Sequence, residues 1–333
     1  MINKSALQQL ARGEFTKGLL HMALLFKGKE KEGLFKLARQ RRKECFPREE
    51  AEVRSVIEIS NICRRKCNFC NINTHAKTSK RYLLGYKELM TIAEHIYNKN
   101  RKVLLFQSGE NNSQKYIDFI SKCVSNIKHK FSNLTIILCL GNLSYKQYRQ
   151  LREAGADRYI LKFETSNSAL YRQIKPDGSL EKRVKCIKVL NGLGFDVGTG
   201  NIIGLPNQTI TDIVNDLLFI RNFKLTMAST SVFIPGEESN YRNEPPGDLN
   251  MALNYMALMR IMYPWLLIPS TSSLEKAKRG GQYSGLMAGA NAITVHDGTP
   301  AELKKHFPIY STARFIPNEK YIKEIVTKAQ LDF

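Results

Sequence analysis

Eight strand-like runs, each followed by a helix-like segment, point to an α/β chain folded as a TIM-type (β/α)8 barrel. Two further observations agree with this. No Gly/Ser/Pro-rich linker or low-complexity tract divides the strand series, and 333 residues with 43% hydrophobic content suffice for one large domain with a substantial core. The expected organisation is an N-terminal helical cap over residues 1–52, a barrel over 53–312 and a C-terminal helix within 313–333 that closes the barrel.

The cap is read from QQLARGEFTKGLLHMALLF and GLFKLARQRRKE, whose apolar residues recur at helical spacing. The strand runs are RSVIEIS (54–60), KVLLFQSG (102–109), LTIILCLG (134–141), DRYILKFET (157–165), DVGTGNIIGLP (196–206), MASTSVFIP (227–235), LLIPSTS (266–272) and AITVHD (292–297). Helix-like segments between them include YKELMTIAEHIYNK, SQKYIDFISKCVSNIKHK and SLEKRVKCIKVLNGLG, and several end in Gly or Asn, as helix C-termini do. In such a barrel the reactive groups sit at the C-terminal ends of the strands and in the loops that follow. Polar motifs at those positions therefore carry the most weight.

The first follows strand one. Cys63, Cys67 and Cys70 stand as CxxxCxxC in EISNICRRKCNFCNIN, three soft ligands within eight residues. Tetrahedral zinc and cubane iron-sulfur clusters each want four ligands, and His75 is the nearest fourth candidate. A three-thiolate site leaves one position open for chemistry. A zinc knuckle or a disulfide network are the purely structural alternatives. Seven cysteines, an odd number, and an N-terminus unlike a secretory signal favour a reducing, cytoplasmic setting, where thiolates hold metal. HMALLF (21–26) is too short for a signal core, and no apolar run approaches the roughly 18 residues of a membrane span.

After strand two, Gln107-Ser108-Gly109-Glu110 offers carbonyls and a carboxylate to a cationic amino group. Lys162 and Glu164 alternate at the end of strand four, hence on one face, where they either pair or bind the charged ends of an amino-acid-like ligand. Arg183, on the next helix, can grip a carboxylate in bidentate fashion. The glycines of GTGNIIGLP (198–206) suit close approach to a flat ligand or tight strand packing. Ser270, Thr271, Ser272 and Ser273 offer hydroxyls to a substrate carboxylate, or cap the next turn. Lys plus Arg exceed Asp plus Glu by 51 to 30, a net charge of +21. So basic a chain raises an acidic protein or nucleic acid as partner, but the charge is spread along the chain and concentrated only at 27–44, which reads as a solvated helix face and disfavours nucleic acid.

The chain resembles radical S-adenosylmethionine (SAM) enzymes of the biotin synthase-like branch, and within it the HydE family of FeFe-hydrogenase maturases. The resemblance runs from about residue 50 to about 312 and is carried by EISNICRRKCNFC, LLFQSGE, GADRYILKFETSN, GTGNIIGLPNQTITDIVNDLLFI, FIPGEESNYRNEPPGDL, LIPSTSSL and GANAITVHDGTP. It implies a 4Fe-4S cluster on Cys63, Cys67 and Cys70, and SAM bound near Phe69, Ser108, Gly109, Glu110, Glu164, Arg183 and Ile203. It also implies reductive SAM cleavage to a 5'-deoxyadenosyl radical, a small amino-acid-derived or anionic substrate near Gln107, Lys162, Thr271 and Ser272, and an electron donor such as flavodoxin or ferredoxin.

Three departures stand out: the family has Arg and His where this chain has Lys162 and Phe163, its loop after strand six differs from FIPGEESNY, and its C-terminal cysteine-bearing segment is replaced. The alternative within the branch is biotin or lipoyl synthase-like sulfur insertion, which needs a second iron-sulfur cluster. Of the remaining Cys45, Cys123, Cys139 and Cys186, only Cys139 falls where an auxiliary ligand belongs, and its companion positions carry no cysteine, so a second cluster lacks support. A non-catalytic, cluster-containing protein associated with nucleic acid is the alternative outside enzymes.

Overall fold

The structure, a computed structural model, describes residues 4–77, 80–308 and 315–332. Three helices lead the chain: α1 (Lys4–Ala11), α2 (Lys17–Leu24) and α3 (Gly28–Cys45). The first apolar stretch is divided in two because Gly13 turns at φ +82° and Thr16 restarts the helix, its hydroxyl accepting from Leu19 N at 3.2 Å.

Eight strands follow: β1 (Glu52–Ser60), β2 (Val103–Ser108), β3 (Thr135–Cys139), β4 (Arg158–Ile160), β5 (Asp196–Ile203), β6 (Met227–Val232), β7 (Pro269–Ser270) and β8 (Ala292–Val295). They alternate with α4 (Tyr86–Asn98), α5 (Gln114–Lys130), α6 (Tyr145–Glu153), α7 (Ser168–Ile174), α8 (Leu180–Gly192), α9 (Ile210–Phe219), α10 (Leu249–Met262), α11 (Ser272–Ala277) and α12 (Gly281–Met287), and α13 (Glu319–Lys328) ends the series. All ladders are parallel, in the order β6-β5-β4-β3-β2-β1-β8-β7. The circle closes between β6 and the residue leading into β7, where Leu267 N donates to Thr226 O at 2.9 Å and Ala228 N to Leu267 O at 3.2 Å. All eight expected runs form strands of a barrel.

Two strands, β4 and β7, are less than half as long as their runs. The ladder of β4 stops at Ile160, and Glu164 rejoins Asn201 of β5 only as an isolated bridge, with its own backbone at φ +64°. For a non-glycine residue that left-handed conformation is uncommon. Beneath the strand C-termini the barrel interior holds an apolar cluster of Val56, Val103, Leu105, Ile137 and Met227. The larger core lies outside the strands, against the helices.

The leading helices are tied to the α10–α12 side. Arg42 is buried and donates to the carbonyls of Leu286 and Ala290, both at 3.0 Å. Asn254 donates to Leu24 O and Phe26 O at 3.0 and 2.9 Å. At the opposite end of the chain Ala51 N donates to Asp332 O at 2.9 Å, and Glu319 of α13 pairs with Arg101 at 2.6 Å, so the last helix lies by the strand N-termini. The expected boundary between residues 312 and 313 lies outside the described residues.

Candidate active site

The loop after β1 is shaped by its own polar side chains. Arg81 donates to the carbonyls of Asn61 (2.6 Å), Ile72 (2.9 Å) and Ala76 (3.2 Å), and to that of Asn73. Asn73 in turn donates to Cys67 O at 3.2 Å and Cys70 O at 2.8 Å. These bonds replace a regular element, so the loop holds its course without one. Gly109 fits beneath it: a Cβ there would lie 2.5 Å from Ile62 O and 2.7 Å from Cys63 Cβ.

Cys63, Cys67 and Cys70 line one side of a cavity of about 290 Å³ at the C-terminal ends of the strands. Burial pushes the Cys67 thiol up to about 11, and Cys70 further, with the neighbouring sulfurs adding to both. Three thiolates here need a metal's positive charge, so the donor set fits an iron-sulfur cluster. Among the described residues no three His, Cys, Asp or Glu side chains converge as a single-ion cage. A cubane needs no such convergence, because each thiolate takes a separate iron.

Next to the cysteines stands a carboxylate held by cations. Glu110 accepts from Arg65 Nε and lies 3.5 Å from Arg183 Nη2. Burial works to raise its carboxyl, and Arg183, Lys175 and Arg65 outweigh that, holding it below the usual range. Arg183 is buried too and donates to Tyr171 Oη at 3.3 Å. Gly141, at φ +82°, is what makes room, since a Cβ there would lie 2.3 Å from Glu110.

Gln107, Lys162, Thr271 and Ser272 line the same cavity. Lys162 Nζ lies 3.2 Å from Glu164 Oε2 and donates to Ser231 Oγ at 3.3 Å, so the two charges expected at the end of β4 do pair. The turn behind them is fixed by Asp216, whose Oδ1 accepts from Ser166 N and Oγ, both at 2.6 Å, and whose Oδ2 accepts from Asn201 at 3.1 Å. Arg54 reaches the cavity from β1, its Nε on Glu52 and both terminal nitrogens buried without a partner.

Of the expected site residues, all but Ile203 line this cavity. Ile203 is turned into the outer core, and Ile202 lines the wall with Phe69 and Phe233, because successive side chains of β5 face opposite ways. The glycines of β5 serve packing: a Cβ on Gly200 would lie 2.1 Å from Ser229 O. His75 is exposed and is not among the lining residues. Cys139 does line the cavity, its thiol raised by burial to about 11, whereas Cys123 sits in the outer core and Cys45 is exposed.

Sequence reasoning missed Arg54, Arg65, Lys175, Ser231 and His296, which also line the cavity. For His296 a signal existed, since it ends the last strand in AITVHD. Lys175, buried just past α7, offered none.

Residues 57–220 match the family model of the radical SAM superfamily, and the chain belongs to that superfamily of enzymes, which use a 4Fe-4S cluster and SAM. Its relatives include the [FeFe] hydrogenase maturase subunit HydE of Thermotoga maritima, 36% identical over 93% of this chain and 88% of the relative. Biotin synthase of Geobacillus thermodenitrificans is 30% identical over 72% of this chain and 71% of the relative. Among solved structures, methylornithine synthase (PylB) shares the fold with a TM-score of 0.81 at 21% identity, covering 98% of this chain and 95% of that one.

Proposed function

We propose that this protein is a HydE-like maturase, a radical SAM enzyme acting on a small amino-acid-derived or anionic substrate in the assembly of a hydrogenase cofactor. The observation that carries the reading is one cavity lined both by three cysteines and by Lys162, Thr271 and Ser272. In this reading Cys63, Cys67 and Cys70 hold the cluster, and Glu110 with Arg183 orients the charged methionine end of SAM. The bound cluster and SAM together supply one-electron cleavage of SAM to a carbon-centred radical.

The chain's own residues do the rest. Phe69, Ile202 and Phe233 give an apolar wall, which suits a flat aromatic base and keeps water from the reacting centre. The two unpartnered terminal nitrogens of Arg54, with Lys162, favour a negatively charged substrate in the cavity. An electron donor such as flavodoxin or ferredoxin and a cytoplasmic setting belong to the same reading. No described helix is long and apolar enough to cross a membrane. The net charge of +21 favours an acidic protein as that donor.

The test is reductive SAM cleavage by the anaerobically reconstituted protein. Wild type is expected to release methionine and 5'-deoxyadenosine, and Cys67→Ala to release neither; equal turnover by Cys67→Ala would refute the cluster assignment.

Cys139 in the same cavity supports a second reading, sulfur insertion with an auxiliary cluster. Its partner across β2 is Gln107 rather than a thiol, which weakens it. Iron and sulfide quantification separates the two: about four irons for the maturase-like reading, about six to eight for sulfur insertion.

A further inference from the structure

The segment that carries the first two cysteines has a second face. From Asn61 to Cys67 burial alternates residue by residue: Asn61, Cys63, Arg65 and Cys67 are buried or half-buried, and Ile62, Arg64 and Lys66 are exposed. Such alternation belongs to an extended backbone, here without a strand. The inward side chains serve the cavity, which Cys63, Arg65 and Cys67 line. The three outward ones have no part in it.

That outer face is cationic. Arg65, on the inner side, pairs with Glu110 and lies 3.7 Å from Asp177 Oδ2. Arg64 instead donates to the neutral amide oxygen of Asn112 at 3.2 Å, and among the described residues neither Arg64 nor Lys66 pairs with a carboxylate. Asp177 turns its other oxygen to the loop backbone, accepting from Lys66 N at 3.3 Å. Ile62 is 37% exposed, and Leu83, 43% exposed, is bridged to Ser60 just upstream. Apolar side chains beside unpaired cations make a small contact with a charged rim, the form that transient electron-transfer interfaces take.

The sulfurs lie directly behind. One peptide bond joins Arg64 to Cys63 and another joins Lys66 to Cys67, with consecutive Cα atoms about 3.8 Å apart. Between them Arg65 N donates to Cys63 Sγ at 3.4 Å.

We propose that Ile62, Arg64 and Lys66 form the docking face for an acidic one-electron donor protein. Charge complementarity selects that occupant, and two cations beside apolar side chains make too short a track for a phosphate backbone. The proposal rests on the reading above that Cys63, Cys67 and Cys70 hold a cluster. In the transfer an anionic flavin hydroquinone of the donor loses one electron and becomes the neutral semiquinone, and the oxidised cluster gains that electron. No proton moves and no bond is made or broken.

The test uses the full-length, cluster-loaded protein and flavodoxin in its hydroquinone form, with cluster reduction followed by stopped-flow absorbance at low ionic strength. Arg64→Glu/Lys66→Glu is expected to slow reduction by flavodoxin about tenfold or more, with iron content and reduction by dithionite unchanged. Lys99→Glu/Lys102→Glu makes the same change of charge on exposed residues beside the strand N-termini, and is expected to slow it less than about twofold. Arg64→Lys/Lys66→Arg should keep the wild-type rate. Carbodiimide coupling of flavodoxin carboxylates to the wild-type protein, read by mass spectrometry, should capture Lys66, a result that stands even where the charge-reversed variant loads less iron. Equal slowing by both charge-reversed pairs, or coupling that spares Lys66, overturns the docking face. A change confined to sedimentation or to RNA retention assigns the face to a second copy or a nucleic acid and also overturns it. In each of these cases a dithionite-reducible cluster leaves the cluster reading standing, and failure of wild type to load any cluster overturns both.

Discussion

Single side chains decide whether this cavity can hold a charged ligand, and Gly141 is the sharpest case. Any Cβ there meets Glu110 at 2.3 Å and also forces a side chain onto a backbone at φ +82°. Gly141→Ala is therefore expected to weaken SAM binding by at least about tenfold while leaving cluster content unchanged, as read by equilibrium dialysis and iron analysis. Arg183→Met is expected to act in the same direction through charge, since it removes a buried cation from Glu110. Residues such as Cys63, Gln107 and Thr271 were legible in the sequence because polar groups at strand C-termini are conspicuous against apolar runs. Arg54 and Glu58 were not, although both lie in the run RSVIEIS. A charged residue in a strand reads as solvent-facing, and only closure of the barrel turns positions 54, 56 and 58 inward together.

Elements were legible where hydrophobic patterning runs long, and their ends were not. All eight strand runs form ladders, but β4 and β7 stop early because the turns that follow need their own backbone bonds. The turn after β4 hangs on Asp216, a residue of α9 whose partners lie on other elements, so no local pattern marks it. Burial raises the Asp216 carboxyl to about 6, against which its bonds to Ser166 and Asn201 act. A carboxyl raised in the folded state opposes folding once it ionises. Stability from this group is thus greatest below the ordinary aspartate range and falls as pH rises from about 4 to about 6, by up to about 3 kcal/mol. Urea unfolding of wild type across that range should show the decline, and Asp216→Asn should flatten it.

Across the whole molecule, the leading helices and the barrel act as one body. Arg42 is fully buried and donates to two carbonyls on the α12 side, so Arg42→Met removes a side-chain donor from each and leaves Leu286 O with Gly289 N alone. The expected cost is about 2 to 4 kcal/mol in chemical unfolding, with the wild-type and variant proteins binding SAM alike. A basic net charge of +21 sets no fold, but it predicts that reduction by an acidic donor slows as salt is raised. The organisation that matters most is the joining of three cysteines, Glu110 and Arg183 in one cavity, because in the proposed reading it would place a cluster held by the cysteines beside the residues that would bind SAM. Electron paramagnetic resonance of the reduced, reconstituted protein with and without SAM reads this joining. SAM should shift the cluster signal in wild type, and at the same concentration should shift it far less in Glu110→Gln. A wild-type signal that SAM leaves unchanged would contradict the account.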